Sequence, residues 1–227
     1  MLRIALAQCR RTADFDVNAA TILSFLNQAI AARAQIVCFP EAQTVGYRVD
    51  ISDARIACIL GTEIPSPVGK PYNSALLVNE SGQILGAHHK SRLTPLDAVA
   101  YGPGQDFETW TVCGIVIGVV ICYEGFCYAE TTATCVDQGA LVVFHPQNNT
   151  TRSNDWKIPI HHAMTITRAA ENTVWFASCN ACLDTHQNCQ TMIVVPDGRI
   201  HAMYRYDISA ELLFANTVDR GEYEEIL

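Results

Sequence analysis

Three segments of this sequence each end in a different reactive group. Phe39-Pro40-Glu41 closes one in a carboxylate, His88-His89-Lys90 closes a second in an ammonium, and Ile121-Cys122-Tyr123-Glu124 closes a third in a thiol. A thiol beside a proton-accepting carboxylate and a cation could cleave an amide through a covalent acyl intermediate. Each group alone is ordinary, since strand-ending acids, lysines and cysteines mostly serve solvation, helix caps or packing. Occurring together, each at the end of a strand-like run, they could converge from distant parts of the chain on one pocket.

The rest of the chain is suited to building such a pocket. Its 227 residues suit one large domain spanning 1–227, and 49 % hydrophobic against 17 % charged residues indicates a compact, well-buried globule. A net charge of −8 with scattered Lys and Arg argues against nucleic acid as a partner. The ten cysteines raise the question of compartment. Met1 to Gln8 is too short and interrupted for the apolar part of a secretory signal, and Cys38 and Cys113 lie in apolar surroundings where a reduced thiol packs as a small hydrophobe. The expectation is a cytoplasmic protein with reduced thiols. The longest apolar run, Gly114 to Cys122, is far short of a membrane span, so no membrane association is expected.

Strand and helix periods alternate along the chain. Leu2, Ile4 and Leu6 mark a first strand, and Asp16 is the expected N-cap of a helix burying Ile22, Phe25, Leu26, Ala29 and Ile30. Ala34–Phe39 returns to strand, a short helix is expected near Ile51–Leu60, and Tyr72–Val78 with Gln83–Lys90 forms a hairpin around Asn79-Glu80-Ser81-Gly82. A second strand pair turns at Gly114, followed by a helix over about Glu124–Gln138, a buried strand Ala140–Phe144, and a helix over about Asp155–Asn172. Strands are expected at Thr173–Ser178, Thr191–Val195 and Glu211–Thr217, and Gly102-Pro103-Gly104 is expected to be a turn. Hairpins mixed with βα units, with strands apolar on both faces, predict α/β layers in which sheets lie between helices. No phosphate-cradling or dinucleotide-binding glycine pattern and no Gly-x-Ser-x-Gly elbow occurs.

Taken in order, Phe39-Pro40-Glu41, then Tyr72-Asn73-Ser74-Ala75 through Ser81-Gly82 to His89-Lys90, then Gly118-Val119-Val120-Ile121-Cys122-Tyr123-Glu124, resemble the nitrilase superfamily of carbon–nitrogen hydrolases. Ala5-Leu6-Ala7-Gln8, Arg168-Ala169-Ala170-Glu171-Asn172 and Pro196-Asp197-Gly198 extend the likeness over nearly the whole chain. The resemblance implies a small, single-domain, amidase-like member with a four-layer α-β-β-α sandwich of the nitrilase type. It implies a catalytic Glu-Lys-Cys triad at Glu41, Lys90 and Cys122, hydrolysing a small amide or N-carbamoyl compound, or a nitrile, without metal or cofactor. The nucleophile precedes an expected helix start and shares the site with Lys90, both of which favour thiolate. Glu41 would accept and return the proton, and Lys90 with the backbone N–H of Tyr123 would serve as oxyanion donors.

The likeness also raises finer expectations. Many members carry a second glutamate seven residues after the lysine, and here that position is Asp97, one methylene shorter. Cys127 stands where relatives often show a basic or aromatic residue. Tyr47, Phe126, His145, Asn148 and Trp156 fall on the segments that shape the pocket, and their amides and indole suggest a small polar acyl group. His88 and His89, adjacent on a strand, should face opposite ways and not share a metal. Cys179, Cys182, His186 and Cys189 have the ligand types of a zinc module at 179–189, but the later spacings are too tight, so a pocket-bordering loop is preferred. A homodimer or larger homo-oligomer is expected by analogy. The alternative function is a catalytically silent small-molecule binding or interaction protein on the same fold.

Overall fold

The computed structural model describes residues 1–43, 55–67, 69–105, 107–151, 155–182, 186–204 and 210–217. The elements begin with β1 (Leu2–Gln8), α1 (Phe15–Ala31), β2 (Ile36–Cys38), β3 (Ala57–Ile64), β4 (Tyr72–Val78), β5 (Ile84–His89) and the one-turn α2 (Asp97–Ala100). Next come β6 (Thr109–Val112), β7 (Ile115–Val119), α3 (Tyr123–Cys127), α4 (Ala129–Asp137), β8 (Val142–Gln147), β9 (Thr150–Thr151) and α5 (Lys157–Asn172). The last are β10 (Trp175–Asn180), β11 (His186–Gln187), β12 (Met192–Val194), β13 (Ile200–Met203) and β14 (Glu211–Thr217).

Two six-stranded mixed sheets form the centre, one in the order β14-β1-β2-β3-β4-β5 and the other β13-β12-β10-β8-β7-β6; β9 and β11 pair separately. The strand period of two explains the layering. On β1, Leu2, Ile4 and Leu6 point between the sheets, where they meet Ile117, Val119, Phe144 and Trp175. Ala5 and Ala7 point the other way, onto Ile22, Phe25 and Leu26 of α1. Behind the second sheet, Val143 and Phe176 pack with Cys135 of α4 and Ala169 of α5. Three apolar layers between four layers of structure make an α-β-β-α sandwich. All ten cysteines are free thiols, and no described helix is long and apolar enough to cross a membrane.

Several sequence expectations need correction. The helix expected near Ile51–Leu60 is instead, where described, the strand β3, which pairs parallel to β2 and antiparallel to β4. Its residues are buried on both faces, Ala57 and Ile59 between the sheets and Cys58 and Leu60 toward α1, and a short continuous apolar run does not distinguish that from a helix. The N-cap of α1 is Asp14, whose Oδ1 accepts from Val17 N at 3.1 Å, while Asp16 sits in the first turn and Ile30 is exposed. The single helix expected over Glu124–Gln138 is two: Tyr128 is extended (φ −128°, ψ 92°), and Thr131 Oγ1 donates to the carbonyls of Glu124 and Tyr128 at the break. Strand β13, mostly exposed, escaped the pattern of buried runs.

Candidate active site

Glu41 follows β2 at the meeting of the two sheets. Phe39 N donates to Ile59 O at 2.9 Å, and Glu41 N reaches across to Gln147 O at 3.3 Å. Ala42 then takes a left-handed turn (φ 51°). The turn rests directly on Gly61 of β3, where a Cβ would stand 2.1 Å from Pro40 O and 2.6 Å from Ala42 N. Only glycine permits that approach.

Lys90 ends the β4–β5 hairpin. Its N donates to Asn73 O at 2.8 Å and its carbonyl accepts from Gly104 N at 2.9 Å, so Gly102-Pro103-Gly104 is more than a turn: it straps the lysine backbone in place. The side chain is buried, and Nζ donates to Glu41 Oε1 at 2.7 Å and to Asp97 Oδ2 at 2.9 Å. Asp97 compensates for its short side chain by opening α2, where its N is held by Thr94 Oγ1 and its Oδ2 accepts from Thr94 N. Asn73 Nδ2 at 2.7 Å and Asn148 N at 3.1 Å also donate to Glu41.

Cys122 sits between β7 and α3 with φ 48° and ψ −106°, a sparsely populated conformation for any side chain, costing about 1–3 kcal/mol. Bonds on both sides of the residue sustain it. Cys122 N donates to Pro146 O at 3.0 Å, Cys122 O lies 2.8 Å from His145 Nε2, and the next turn closes through Glu124 N to Ile121 O at 3.1 Å. His145 fits beneath α3 because position 125 is glycine; a Cβ there would be 2.7 Å from its Nε2.

The Glu124 side chain fastens two of the three segments together. Its fully buried carboxylate accepts from Ile121 N at 2.7 Å, next to the thiol, and from Ser91 N at 2.6 Å, next to Lys90. Ser91 Oγ (2.9 Å), Arg92 N (3.3 Å) and His88 Nε2 (2.7 Å) complete the cage. Burial alone would raise its pKa, but His88 and the N–H donors outweigh this and hold it at about 2.

The groups around the sulfur pull its protonation in opposite directions. Burial pushes the Cys122 pKa far up, the adjacent Glu41 carboxylate adds to it, and Lys90 opposes only in part. Cys122 therefore rests as a neutral thiol, hydrogen-bonded to Glu41. Burial would drive Lys90 toward neutrality, but the charges around it, Glu41 foremost and Asp97 among them, hold it as an ammonium with a raised pKa. Asp97 is lowered by Lys90 and the Thr94 bonds despite partial burial. The helix dipole expected to favour thiolate belongs to a five-residue helix and does not offset these effects.

Two cavities meet at Cys122. One, about 310 Å³, has walls as much polar as apolar and holds the charged groups, being lined by Glu41, Asn73, Lys90, Asp97 and Asn148 together with Arg11, Leu96 and Tyr101. The other, about 370 Å³, is mainly apolar and is lined by Pro95, Phe126, Trp156, Ile160 and Met164, together with Lys157. Cys122, Thr94 and Asn149 line both, and Asn149 Nδ2 lies 3.4 Å from Cys122 Sγ.

The structure thus brings Glu41, Lys90, Cys122 and Asp97 together, with Tyr123 beginning α3 beside the sulfur. As the first helical residue Tyr123 has no intrahelical acceptor for its N–H. Phe126, Cys127 and Trp156 border the apolar cavity and Asn148 the one with charged walls. His145 does not line either: it is fully buried behind the nucleophile, between Cys122 O and Ser178 Oγ. Tyr47 lies outside the described residues. His88 and His89 do face apart, the first to Glu124 and the second to Ser74 Oγ at 2.7 Å. In the 179–189 segment, Cys179 Sγ contacts Ala7 O and Cys38 O while Cys189 Sγ contacts Gln147 and Gln190 O, separate surroundings. Among the described residues no group of three His, Cys, Asp or Glu is placed to hold a metal. Asn73 and Glu124 were missed as site residues although each lies inside a segment singled out above; position within the motif was their only signal.

Fold and cluster together define an α-β-β-α sandwich of the nitrilase type with a thiol, a carboxylate and an ammonium buried at its seam. The chain belongs to the carbon-nitrogen hydrolase family, whose model matches residues 3–68 and 51–225. An (R)-stereoselective amidase of Pseudomonas sp. is 31 % identical over 179 residues, covering 78 % of this chain and 62 % of the amidase. Omega-amidase NIT3 of Saccharomyces cerevisiae is 25 % identical over 164 residues, covering 65 % of this chain and 55 % of that enzyme. The chain therefore spans less than two thirds of the length of these relatives. Among solved structures, a variant of the amidase from Nesterenkonia sp. AN1 in complex with butyramide superposes with a TM-score of 0.83 at 21 % identity, covering all of this chain and 97 % of the other.

Proposed function

We propose that this protein hydrolyses a non-peptide carbon–nitrogen bond of a small amide through a thioester on Cys122, with Glu41 as general base and acid and Lys90 as electrostatic partner. The observation that carries this reading is the meeting, at one buried point open to two cavities, of a strained thiol with the Glu41 carboxylate and the Lys90 ammonium. Membership of the carbon-nitrogen hydrolase family and the amidase relatives support it.

The geometry suits a specific order of events. Glu41 takes the thiol proton as Cys122 Sγ attacks the amide carbon, so no free thiolate has to be stabilised beforehand. Lys90 Nζ has three donors and gives two to carboxylates, leaving the third for the developing oxyanion with the N–H of Tyr123. Glu41 then returns its proton to the nitrogen, the amine departs, and a thioester remains. Water deprotonated by Glu41 attacks the thioester, releasing the acid and restoring the thiol. Amide and water become carboxylic acid and amine, with no electrons to account for elsewhere.

The test is intact-mass measurement during turnover of short amides by the wild type and by Cys122→Ala. A transient mass increase equal to the acyl group, absent in the variant along with turnover, is expected. Hydrolysis that persists in Cys122→Ala would overturn the nucleophile, and binding of amides without hydrolysis by the wild type would favour a silent binding protein.

A further inference from the structure

The geometry points to a division of the substrate between the two cavities, with an uncharged, apolar acyl chain in the one bounded by Phe126, Trp156, Ile160 and Met164, and the leaving nitrogen in the one holding Glu41 and Asp97. This deepens the proposed amide hydrolysis and rests on it. It replaces the small polar acyl group suggested by the amides and indole in the sequence.

The assignment of ends follows from the proton. Glu41 can deliver it only to a nitrogen on its own side of Cys122, and Glu41 lines the cavity with charged walls alone. With the carbonyl oxygen between Lys90 and Tyr123 N–H, the remaining substituent of the carbonyl carbon must leave through the apolar cavity, which Cys122 and Tyr123 also line.

The walls of that cavity decide the chemistry of the chain they receive. Phe126 is nearly fully buried and stacks on His161 at 4.3 Å, forming a fixed floor. Burial lowers the pKa of His161, so its ring adds no positive charge at neutral pH. Trp156 is 70 % exposed, and an apolar chain in the cavity would bury its indole. Lys157, the only lysine or arginine among the described residues that line the cavity, lies 5.9 Å from the centre of the Trp156 ring. Arg11 lines the other cavity, on the leaving-group side. A carboxylate at the far end of the acyl chain would thus lose water against carbon walls, and nearer the sulfur it would meet Glu41 and Asp97.

The experiment compares kcat/KM for hexanamide and phenylacetamide with that for the half-amides succinamate and glutaramate. It is run on the wild type, Trp156→Ala, Ile160→Arg and Lys157→Ala, and the same compounds are titrated into Cys122→Ala by calorimetry. The neutral amides are expected to exceed the half-amides by about tenfold or more, the range one or two apolar contacts provide. Trp156→Ala should lower that advantage through KM, and Ile160→Arg should shift it toward glutaramate. A wild-type preference for half-amides that disappears in Lys157→Ala would overturn the inference while leaving amide hydrolysis intact. Absence of any Cys122-dependent turnover would overturn the hydrolysis itself, and the calorimetric ranking of the neutral and acidic compounds would then still decide which chain the cavity accepts.

Discussion

Lys90 Nζ and Asp97 Oδ2 stand 2.9 Å apart, although Asp97 is a methylene shorter than the glutamate that the family resemblance led one to expect there. The contact is possible because α2 begins at Asp97 and Thr94 clamps the carboxylate from the other side. Asp97→Asn removes one of the two anions that fix the ammonium but keeps the shape. Steady-state kinetics should show about a tenfold fall in kcat with little change in KM, and an unchanged kcat would remove Asp97 from the site.

With the Cys122 pKa raised by burial, Cys122 reactivity should depend on Glu41 as the base. Glu41→Gln should slow alkylation of Cys122 by iodoacetamide by about 100-fold or more, the usual value of a positioned base. If Lys90 alone generated thiolate, removal of the neighbouring negative charge would speed labelling. The rate is followed at Cys122 by peptide mapping, since Cys113 and Cys127 are exposed and would also be alkylated.

Glu124 should matter more for the fold around the site than its absence from the cavities suggests. Glu124→Gln replaces an acceptor-only carboxylate with a group that cannot satisfy all its donors, and should cost about 3 kcal/mol. At roughly 2–4 °C per kcal/mol for a chain of this size, thermal unfolding should fall by roughly 6–12 °C. Ser91→Ala, which removes a single hydroxyl from the cage, should cost far less.

Acid should destabilise the protein in two stages. His145 is depressed from 6.5 to about 3, chiefly by burial, so below pH 6.5 the unfolded chain takes a proton that the folded one refuses, and stability declines as pH falls toward 3. Glu124, held at about 2 against 4.5, contributes stability that is complete above pH 4.5 and lost as pH drops through 2. Urea midpoints measured from pH 8 to pH 3.5 should fall from below about 6.5 and steepen below about 4.5. His145→Gln should flatten the upper part of that profile, and a profile unchanged by the substitution would refute its assignment.

Gly61, on β3 and not among the residues lining the two cavities at Cys122, should be sensitive to a single methyl group. Gly61→Ala places a Cβ against the backbone that carries Glu41, and should cost about 1–3 kcal/mol by overpacking. Activity should fall further than stability accounts for, because the carboxylate moves with Pro40 and Ala42. Full activity in a stably folded Gly61→Ala would mean that this backbone gives way easily.

Much of the protein was legible before folding because its information is local. The alternation of Leu2, Ile4 and Leu6 specifies a strand with an inward face, and Phe39-Pro40-Glu41, His89-Lys90 and Ile121-Cys122-Tyr123 place three reactive groups at element ends. What stayed hidden depends on neighbours far along the chain. Residues 57–60 form a strand because β2 and β4 flank them and both faces are buried, which no local period reveals. His145 looked like a pocket residue until packing placed it behind Cys122.

The amino-acid order by itself determined the layered α/β architecture, the membership of the family and the identities of the acid, the ammonium and the thiol, since side-chain type and strand period are properties of the chain alone. Tertiary structure alone decided that burial and Glu41 raise the pKa of Cys122, that Glu124 ties the nucleophile turn to the lysine strand, and that a cavity with charged walls and a mainly apolar one share the sulfur. Protonation and cavity polarity depend on distances between groups separated by dozens of residues, and only the folded chain sets those distances.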